Sequence, residues 1–469
     1  MTPLNDDSRT RSLTTHDLLN GLPGQAPAEK AARVQALYDR AAFHSSGLMY
    51  SMQRLVDGEV RPFEPRDFEG AFFVKSLKID GAWEYLHGEN SITHAGIYLA
   101  AQAYRIRAED TPDAREQAAK AFRSLEIIYE MGVKEGKPGW MCKPYGFRPS
   151  DQTSPDQYLD ACWGMYAYHA VAPAEHRCKI GKMIADFADY WRSVNYTLTY
   201  FGNHWNFGEW GGYGNAKLIL VNALAHHFTG KQVYLDEVRR FLDRADWITA
   251  SSVTQWRARL GQEQREGKLQ AHNETPIGGW VTPLLKPGEV LFWEAAIHCK
   301  FVAVAAEILQ ETHPEIIGGH LPALLEMWWE QGNYGTGEDM LPYYWFAADF
   351  LNNTWRPLPN TPMLPRERWA FGDPFMGCIN QVRETEPLAR SIVTSVIAGR
   401  HAPAVAERAI GMARRIMDVL DETRLHWMVD PDGKQLPPEI RYYGQCLSSE
   451  MGASFLAAYW RGRKEGWWE

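Results

Sequence analysis

Residues 216–242 read AKLILVNALAHHFTGKQVYLDEVRRFL and contain two helical segments of opposite character. Residues 216–225 are apolar nearly all round, which is typical of a helix buried on every side. Residues 234–242 carry one apolar stripe and one charged face, which is typical of a helix between core and solvent. Thr229 and Gly230 mark a short turn between them. The stretch therefore predicts a helical hairpin with one buried and one solvent-facing helix.

The same alternation extends along the chain, because apolar residues recur with helical spacing while strand-like alternation is scarce. Short turns, most of them with a proline, alternate with long connections, so all the long connections must lie at one end of the bundle. We predict an all-α (α/α)6 toroid of six helical hairpins, with an inner ring inside an outer ring, the last helix beside the first, and the long loops on one face. An irregular helical bundle or a superhelical repeat is the alternative. The predicted helices cover about 30–54, 88–107, 112–131, 155–171, 174–195, 213–229, 232–250, 288–311, 314–331, 386–400, 403–421 and 445–461.

The composition indicates an ordinary globular protein. Of the 469 residues, 45% are hydrophobic and 23% are charged, so the chain can bury a large core. The net charge is -9 and no Lys/Arg-rich run is present, which argues against nucleic acid as a partner. The six cysteines form no C-x-x-C pair, and neither a signal peptide nor a membrane-spanning apolar run is visible. We expect a cytoplasmic protein with no membrane partner, with an N-terminal extension over 1–29 and a single catalytic domain over 30–469.

Two aspartates share one face of an inner helix. Asp156, Asp160 and Trp163 are spaced i, i+4, i+7 in an otherwise apolar segment. A buried acid must be paired, hydrogen-bonded or functional. Because inner helices begin at the long-loop face, their N-termini point into the cleft there. Asp156 and Asp160 are therefore candidate catalytic carboxylates, with helix capping and hydrogen bonding to neighbouring loops as the structural alternatives.

Further candidates precede other inner helices or lie in aromatic loops. Glu89 opens one inner helix, and His94 follows it, although a lone histidine is more often a core residue. Residues 201–213 alternate aromatic side chains with amides and glycines, a pattern suited to stacking on sugar rings and to hydrogen bonds with hydroxyls. The candidate binding residues are Asp151, Gln157, His94, Arg148, His204, Trp210, Tyr213, Asn215, Trp280 and Tyr343. No phosphate loop, dinucleotide fingerprint, nucleophile elbow or zinc spacing is present, so we expect neither a cofactor nor a metal.

Two hairpins carry a resemblance to a known family. Residues 89–105, continued by Pro138 and Gly139, and residues 154–165 resemble the six-hairpin glycosidase superfamily, near the unsaturated glucuronyl hydrolases. The resemblance implies that catalytic acids lie at the mouths of inner helices, which maps onto Asp156 and Glu89, although the relatives have aspartate where this chain has Glu89. It also implies that Arg148, Lys143 or His204 contacts a uronate carboxylate.

These observations predict a glycoside hydrolase acting on short, uronate-containing oligosaccharides. Asp156 would donate a proton, and Glu89 or Asp160 would activate water or stabilise positive charge. Since a helix N-terminus lowers a carboxyl pKa, burial or a neighbouring acid would have to raise it for that role. The alternatives are a lyase that acts by β-elimination on a uronate, with His204 or Tyr213 as base, and a non-catalytic sugar-binding protein. The expected partner is an oligosaccharide, and the sequence is compatible with a homo-oligomer.

Overall fold

The computed structural model describes residues 25–56, 59–67, 79–200, 203–209, 212–248, 252–268, 285–293, 295–343, 345–357, 386–422 and 446–468. Within these ranges the chain is mainly helical, as predicted. The helices in chain order are α1 (Pro27–Ala41), α2 (Ala82–Gly88), α3 (Ser91–Ala108), α4 (Pro112–Lys134), α5 (Pro155–His169), α6 (Ala174–Ser193), α7 (Ala216–Thr229), α8 (Gln232–Leu242), α9 (Val253–Arg265), α10 (Ala295–Thr312), α11 (Pro314–Ile317), α12 (Leu321–Gly332), α13 (Glu386–His401), α14 (Ala406–Val419) and α15 (Ser449–Lys464).

The inner ring consists of α3, α5, α7, α10, α13 and α15. Each of these helices packs against the next, and α15 packs against α3, which closes the ring. The outer helices α4, α6, α8, α12 and α14 each pack on the inner helix that precedes them, and α1 packs on α15. The predicted (α/α)6 toroid, with its last helix beside its first, is confirmed. Because a short turn follows each inner helix up to α13, the inner helices run parallel and begin at a common mouth.

The closest approach in the inner ring joins α3 to α5. A Cβ atom on Gly96 would overlap the carbonyl of Asp160, and one on Gly164 would overlap the carbonyl of Gly96. Both positions therefore need glycine, since any side chain would force the two helices apart. This contact fixes the height of Asp160 relative to the start of α3.

Several predicted helices are shorter than expected. The helix predicted over 232–250 ends at Leu242, and the one predicted over 288–311 begins at Ala295, after a strand over Val290–Trp293. The segment predicted over 30–54 leaves the helix at Ala41 and turns through Gly47, whose φ of +89° is readily adopted only by glycine. The segment predicted over 314–331 divides into α11 and α12, because Gly318 and Gly319 have φ values of +61° and +80°. Gly318 ends α11 directly, whereas α1 ends at Ala41, six residues before Gly47.

The long connections contain secondary structure of their own. They include α9, which begins with a capping box between Ser252 and Gln255. They also include short antiparallel sheets, with strand orders β2-β1-β8, β3-β4 and β5-β6-β7. The strands are β1 (Met52–Val56), β2 (Glu59–Arg61), β3 (Thr197–Tyr200), β4 (Asn203–Asn206), β5 (Val290–Trp293), β6 (Trp345–Asp349), β7 (Thr354–Pro357) and β8 (Cys446–Ser448).

Candidate active site

Helix α5 carries two aspartates at different depths of the ring. Pro155 occupies the first turn, where its missing N–H costs no hydrogen bond, and Asp156 follows it. Asp160 lies one turn further in, on the same face. The Asp156 side chain is 38% exposed, whereas that of Asp160 is 1% exposed. The first carboxylate therefore faces the mouth, and the second is sealed beneath it.

Asp156 forms an ion pair with Lys217 on the neighbouring inner helix α7. Lys217 is the second residue of that helix and is buried. Burial alone would raise the pKa of Asp156, but the Lys217 ammonium outweighs this effect, and the net result is a lowered pKa. Asp156 is therefore ionised at neutral pH, which does not suit the proton-donor role that the sequence suggested for it.

Asp160 belongs to a second, fully buried ionic cluster. The Lys300 ammonium lies 3.0 Å from Oδ1 of Asp160 and 3.7 Å from Oε1 of Glu450. Arg390 contacts Glu450 at 3.1 Å and Glu386 at 3.1 Å. Burial raises the pKa of Asp160 to about 6, because Lys300 offsets the burial only in part and Glu450 opposes ionisation.

Glu450 shows the opposite behaviour within the same cluster. Burial works against its ionisation, but Arg390, Lys300 and His94 together lower the pKa of Glu450 to about 2. Of Asp160 and Glu450, Asp160 therefore holds a proton more readily. Acid–base catalysis uses pairs of carboxyl groups whose pKa values lie apart, and Asp156 and Asp160 are such a pair.

Glu89 lies at the start of α3 and is buried. Its carboxylate accepts hydrogen bonds from the Lys143 ammonium and from the Tyr145 hydroxyl. The side chain of Gln157 donates to the backbone carbonyl of Glu89 at 2.8 Å, so Gln157 joins the beginnings of α3 and α5. Lys143 also acts electrostatically on Asp156. The structure therefore brings Glu89 and Asp156 to the same mouth.

His94 lies in the first turn of α3 and is 1% exposed. Burial lowers the pKa of His94 to about 4, so its ring is neutral at pH 7. The Ser51 backbone is the hydrogen-bonding group beside the ring, and it raises the pKa of His94 only slightly against the effect of burial. His94 is thus a buried neutral residue at the start of α3.

Arg148 and Asp151 are at the edge of the mouth. Arg148 forms a two-point ion pair with Glu84, and the longer of the two hydrogen bonds measures 2.7 Å. Arg148 and Asp151 both line a pocket of about 240 Å³, to which Tyr145 also contributes. The Arg148 guanidinium is thus already neutralised by Glu84.

The remaining predicted binding residues have different surroundings. The amide of Asn215 is buried, donates to the carbonyl of Phe241 at 3.0 Å and accepts from the Trp247 indole. The structure therefore gives Asn215 a structural role that differs from the predicted binding role. His204 is exposed on β4, and Tyr343 is half-buried with its ring 6.0 Å from that of Trp355. The backbone of Tyr213 lies in the turn before α7, whereas Trp210 and Trp280 lie outside the described residues.

Sequence reasoning missed the two central lysines. Lys217 and Lys300 each stand alone in a long apolar helical segment. A lysine in such a segment must find a carboxylate when it is buried. This signal could have identified both residues, although not their partners.

The described residues contain no group of three or more histidine, cysteine, aspartate or glutamate residues arranged to hold a metal ion. Among the helices described, none is both long and apolar enough to cross a membrane.

Known proteins resemble this chain in fold. No family model and no curated protein matches it. A crystal structure of D-mannose isomerase is similar over 94% of this chain and 97% of its own, with 10% identity and a TM-score of 0.51. A crystal structure of unsaturated glucuronyl hydrolase specific for heparin is similar over 94% and 96%, with 10% identity and a TM-score of 0.47. The likeness to the isomerase confirms the resemblance to six-hairpin proteins at the level of the fold.

Proposed function

We propose that this protein is a carbohydrate-active enzyme, and specifically a glycoside hydrolase, whose site lies at the mouth of the inner ring. The observation that carries the proposal is the contrast between two carboxyl groups one helical turn apart. The pKa of Asp156 is lowered and that of Asp160 is raised to about 6. Environments that push two pKa values apart are how an enzyme assigns acid and base roles to similar side chains.

The assignment of roles follows from protonation state and access. Asp156, ionised and partly exposed, would activate water or stabilise the positive charge that develops on the sugar ring. Because Asp160 is sealed beneath the mouth, its proton would reach the substrate through an intervening water molecule, and the proton that Asp156 takes from the attacking water would restore Asp160. Glu89, held by Lys143 and Tyr145, is better suited to fixing the geometry of the mouth than to proton transfer. This reverses the role that the sequence suggested for Asp156.

The proposed substrate is a short oligosaccharide that contains a uronate. This choice rests on the resemblance of residues 89–105 and 154–165 to the glucuronyl hydrolases. Lys143 and Arg148, which could contact a uronate carboxylate, already pair with Glu89 and Glu84. Neutral oligosaccharides are therefore the necessary comparison in any assay.

A second candidate reaction is proton abstraction next to a carbonyl or carboxylate, as in a lyase or a sugar isomerase. It is favoured by the fact that the accessible carboxylate, Asp156, is the ionised one and so is ready to act as a base. The adjacent Lys217 ammonium could stabilise the negative charge that forms on the substrate oxygen. The fold likeness to D-mannose isomerase is compatible with this reading.

The test is a panel of uronate-bearing and neutral oligosaccharides, each followed for reducing ends, for ultraviolet absorbance and for aldose-to-ketose conversion. We expect new reducing ends without new absorbance from a uronate substrate. New absorbance from a carbon-carbon double bond would favour the lyase, and ketose formation would favour the isomerase. Binding by calorimetry with no turnover of any compound would contradict an enzymatic role.

A further inference from the structure

We propose that Lys217 is a positioning residue that holds the Asp156 carboxylate in its ionised form and aims it into the mouth. The proposal rests on the proposed function, because it treats Asp156 as the catalytic carboxylate. Lys217 forms an ion pair with Asp156. Its role is therefore argued through Asp156.

Lys217 and Asp156 are buried to very different degrees. The Lys217 side chain is 5% exposed, whereas that of Asp156 is 38% exposed. Burying an ammonium group is costly unless a counter-ion compensates it. In the neighbouring pair both partners are sealed, since Lys300 and Asp160 are each 1% exposed. Here the cation is sealed and the anion is open, so the pair presents a fixed carboxylate to whatever occupies the mouth.

The two aspartates one turn apart on α5 each face one lysine, but the results differ. Lys300 lies between Asp160 and Glu450, and its charge is divided between them. Lys217 forms an ion pair with Asp156 at the mouth. The pKa of Asp156 is lowered, whereas that of Asp160 is raised.

The ammonium groups of Lys217 and Lys300 both lie over the aromatic ring of Phe301. The Lys217 ammonium lies 4.7 Å from the centroid of the Phe301 ring, and the Lys300 ammonium lies 5.4 Å from it. A cation over an aromatic face is attracted to it, most strongly where water is excluded. Phe301 thus limits the movement of Lys217 and links the two pairs into one assembly.

The experiment compares Lys217→Met with Lys217→Arg, in the parental chain and with Asp156→Asn. We expect Lys217→Met to lower kcat/KM by roughly 10- to 100-fold, the loss typical of one buried charge-assisted hydrogen bond. The acidic limb of the pH profile should move to higher pH, because Asp156 then ionises less readily. Lys217→Arg should restore most of the activity. With Asp156→Asn already present, Lys217→Met should change kcat/KM by less than about 3-fold.

The matched control is Lys30→Met. Lys30 is also a buried lysine, but it donates to the carbonyl of Met417 at 2.9 Å and lies on α1, in the outer layer. Its loss should lower the melting temperature and leave the pH profile unchanged. If Lys217→Met fails to fold, as circular dichroism would show, Lys217→Gln takes its place.

A measurement without substrate separates this inference from the proposed function. Carbon-13 NMR of labelled aspartate carboxyl groups, assigned with Asp156→Asn, gives the titration of Asp156 directly. A midpoint that rises in Lys217→Met supports the inference even if no saccharide is turned over, which would contradict only the proposed function. The inference would be overturned if the Asp156 midpoint were unchanged in Lys217→Met. It would also be overturned if Lys217→Met lowered kcat/KM equally with and without Asp156→Asn.

Discussion

The two ends of the inner ring bury ionic groups in opposite ways. Beneath the mouth, among the described residues, the carboxyl groups of Asp160, Glu450 and Glu386 share two cations, Lys300 and Arg390. At the opposite end, Glu307 accepts hydrogen bonds from both terminal nitrogens of Arg461 and from His401. One end thus has more carboxylates than close cations, and the other surrounds one carboxylate with two nitrogen-bearing partners.

This difference separates a titrating cluster from a fixed one. Burial would raise the pKa of Glu307, but Arg461 and His401 lower it to about 2, so this carboxylate stays ionised at all ordinary pH values. Asp160, with a pKa raised to about 6, changes its charge close to neutral pH. A carboxylate with several hydrogen-bond donors, such as Glu307, keeps its charge and contributes to stability. A carboxyl group with fewer cations around it, such as Asp160, can gain and lose a proton near neutral pH. Variants at the mouth and at the opposite end of the inner ring test this difference.

The largest effect is expected for Asp156→Asn at the mouth. Removing the accessible carboxylate should lower kcat/KM by about 10² to 10⁴, the range typical of an acid–base residue. Because the buried Lys217 ammonium then loses the Asp156 carboxylate, the melting temperature should also fall, and activity is compared at a temperature at which circular dichroism shows both proteins folded. Activity is measured on the substrate identified by the oligosaccharide panel. Parental activity in this variant would remove Asp156 from the reaction.

At the opposite end we expect a loss of stability instead. Glu307→Gln leaves Arg461 buried without its counter-ion, which should cost about 3 to 5 kcal/mol in the free energy of unfolding. Urea denaturation checks this value. The control is Glu330→Gln on the outer surface, where the partner Arg408 is 57% exposed and the expected cost is below about 1 kcal/mol. Equal costs for the two variants would show that burial does not distinguish these pairs.

The pH dependence of the free energy of unfolding should show the raised pKa of Asp160. Its pKa is about 6 in the folded state, against about 4 when unfolded, so the native state binds more protons between these values. The free energy of unfolding should therefore fall as pH rises from about 4 to 6, by on the order of 3 kcal/mol from this group. Asp160→Asn should flatten that slope. Urea titrations at several pH values measure it, and an unchanged slope would refute the raised pKa.

The smallest effect is expected at the edge of the mouth. Arg148→Ala breaks an ion pair with Glu84 in which the Arg148 side chain is 43% exposed, so the change in stability should be below about 1 kcal/mol. Since Glu84 already neutralises Arg148, KM for a uronate substrate should change by less than about 3-fold. A selective loss of uronate over neutral substrates would instead identify Arg148 as the carboxylate-binding residue.

Local sequence was sufficient to predict the ring but not all of its boundaries. The contrast between residues 216–225 and 234–242 predicts the two layers, and the structure confirms them as α7 and α8. The positions of short turns predict a common mouth. Apolar periodicity continues past Ala41 and past Gly318 and Gly319, so it does not show that the chain leaves the helix there. Those breaks depend on backbone angles that periodicity does not report.

The site was predictable only where it lies within one helix. Spacing along α5 places Asp156 and Asp160 on one face, and the structure retains that arrangement. Lys217 and Lys300 come from other inner helices, so their pairing with these aspartates depends on how the ring closes. The protonation states follow from those pairings. For this reason the sequence suggested Asp156 as the proton donor, whereas its partner makes it the ionised group.

The contact between α15 and α3 closes the ring, and it has a consequence for folding. Glu450, which sets the charge around Lys300, begins a helix about 150 residues further along the chain. The contact order of the ionic cluster is therefore high, and its formation requires large segments of chain to be brought together first. Refolding should recover helical content before it recovers the acid–base pair. The return of activity would thus report the final closure of the ring.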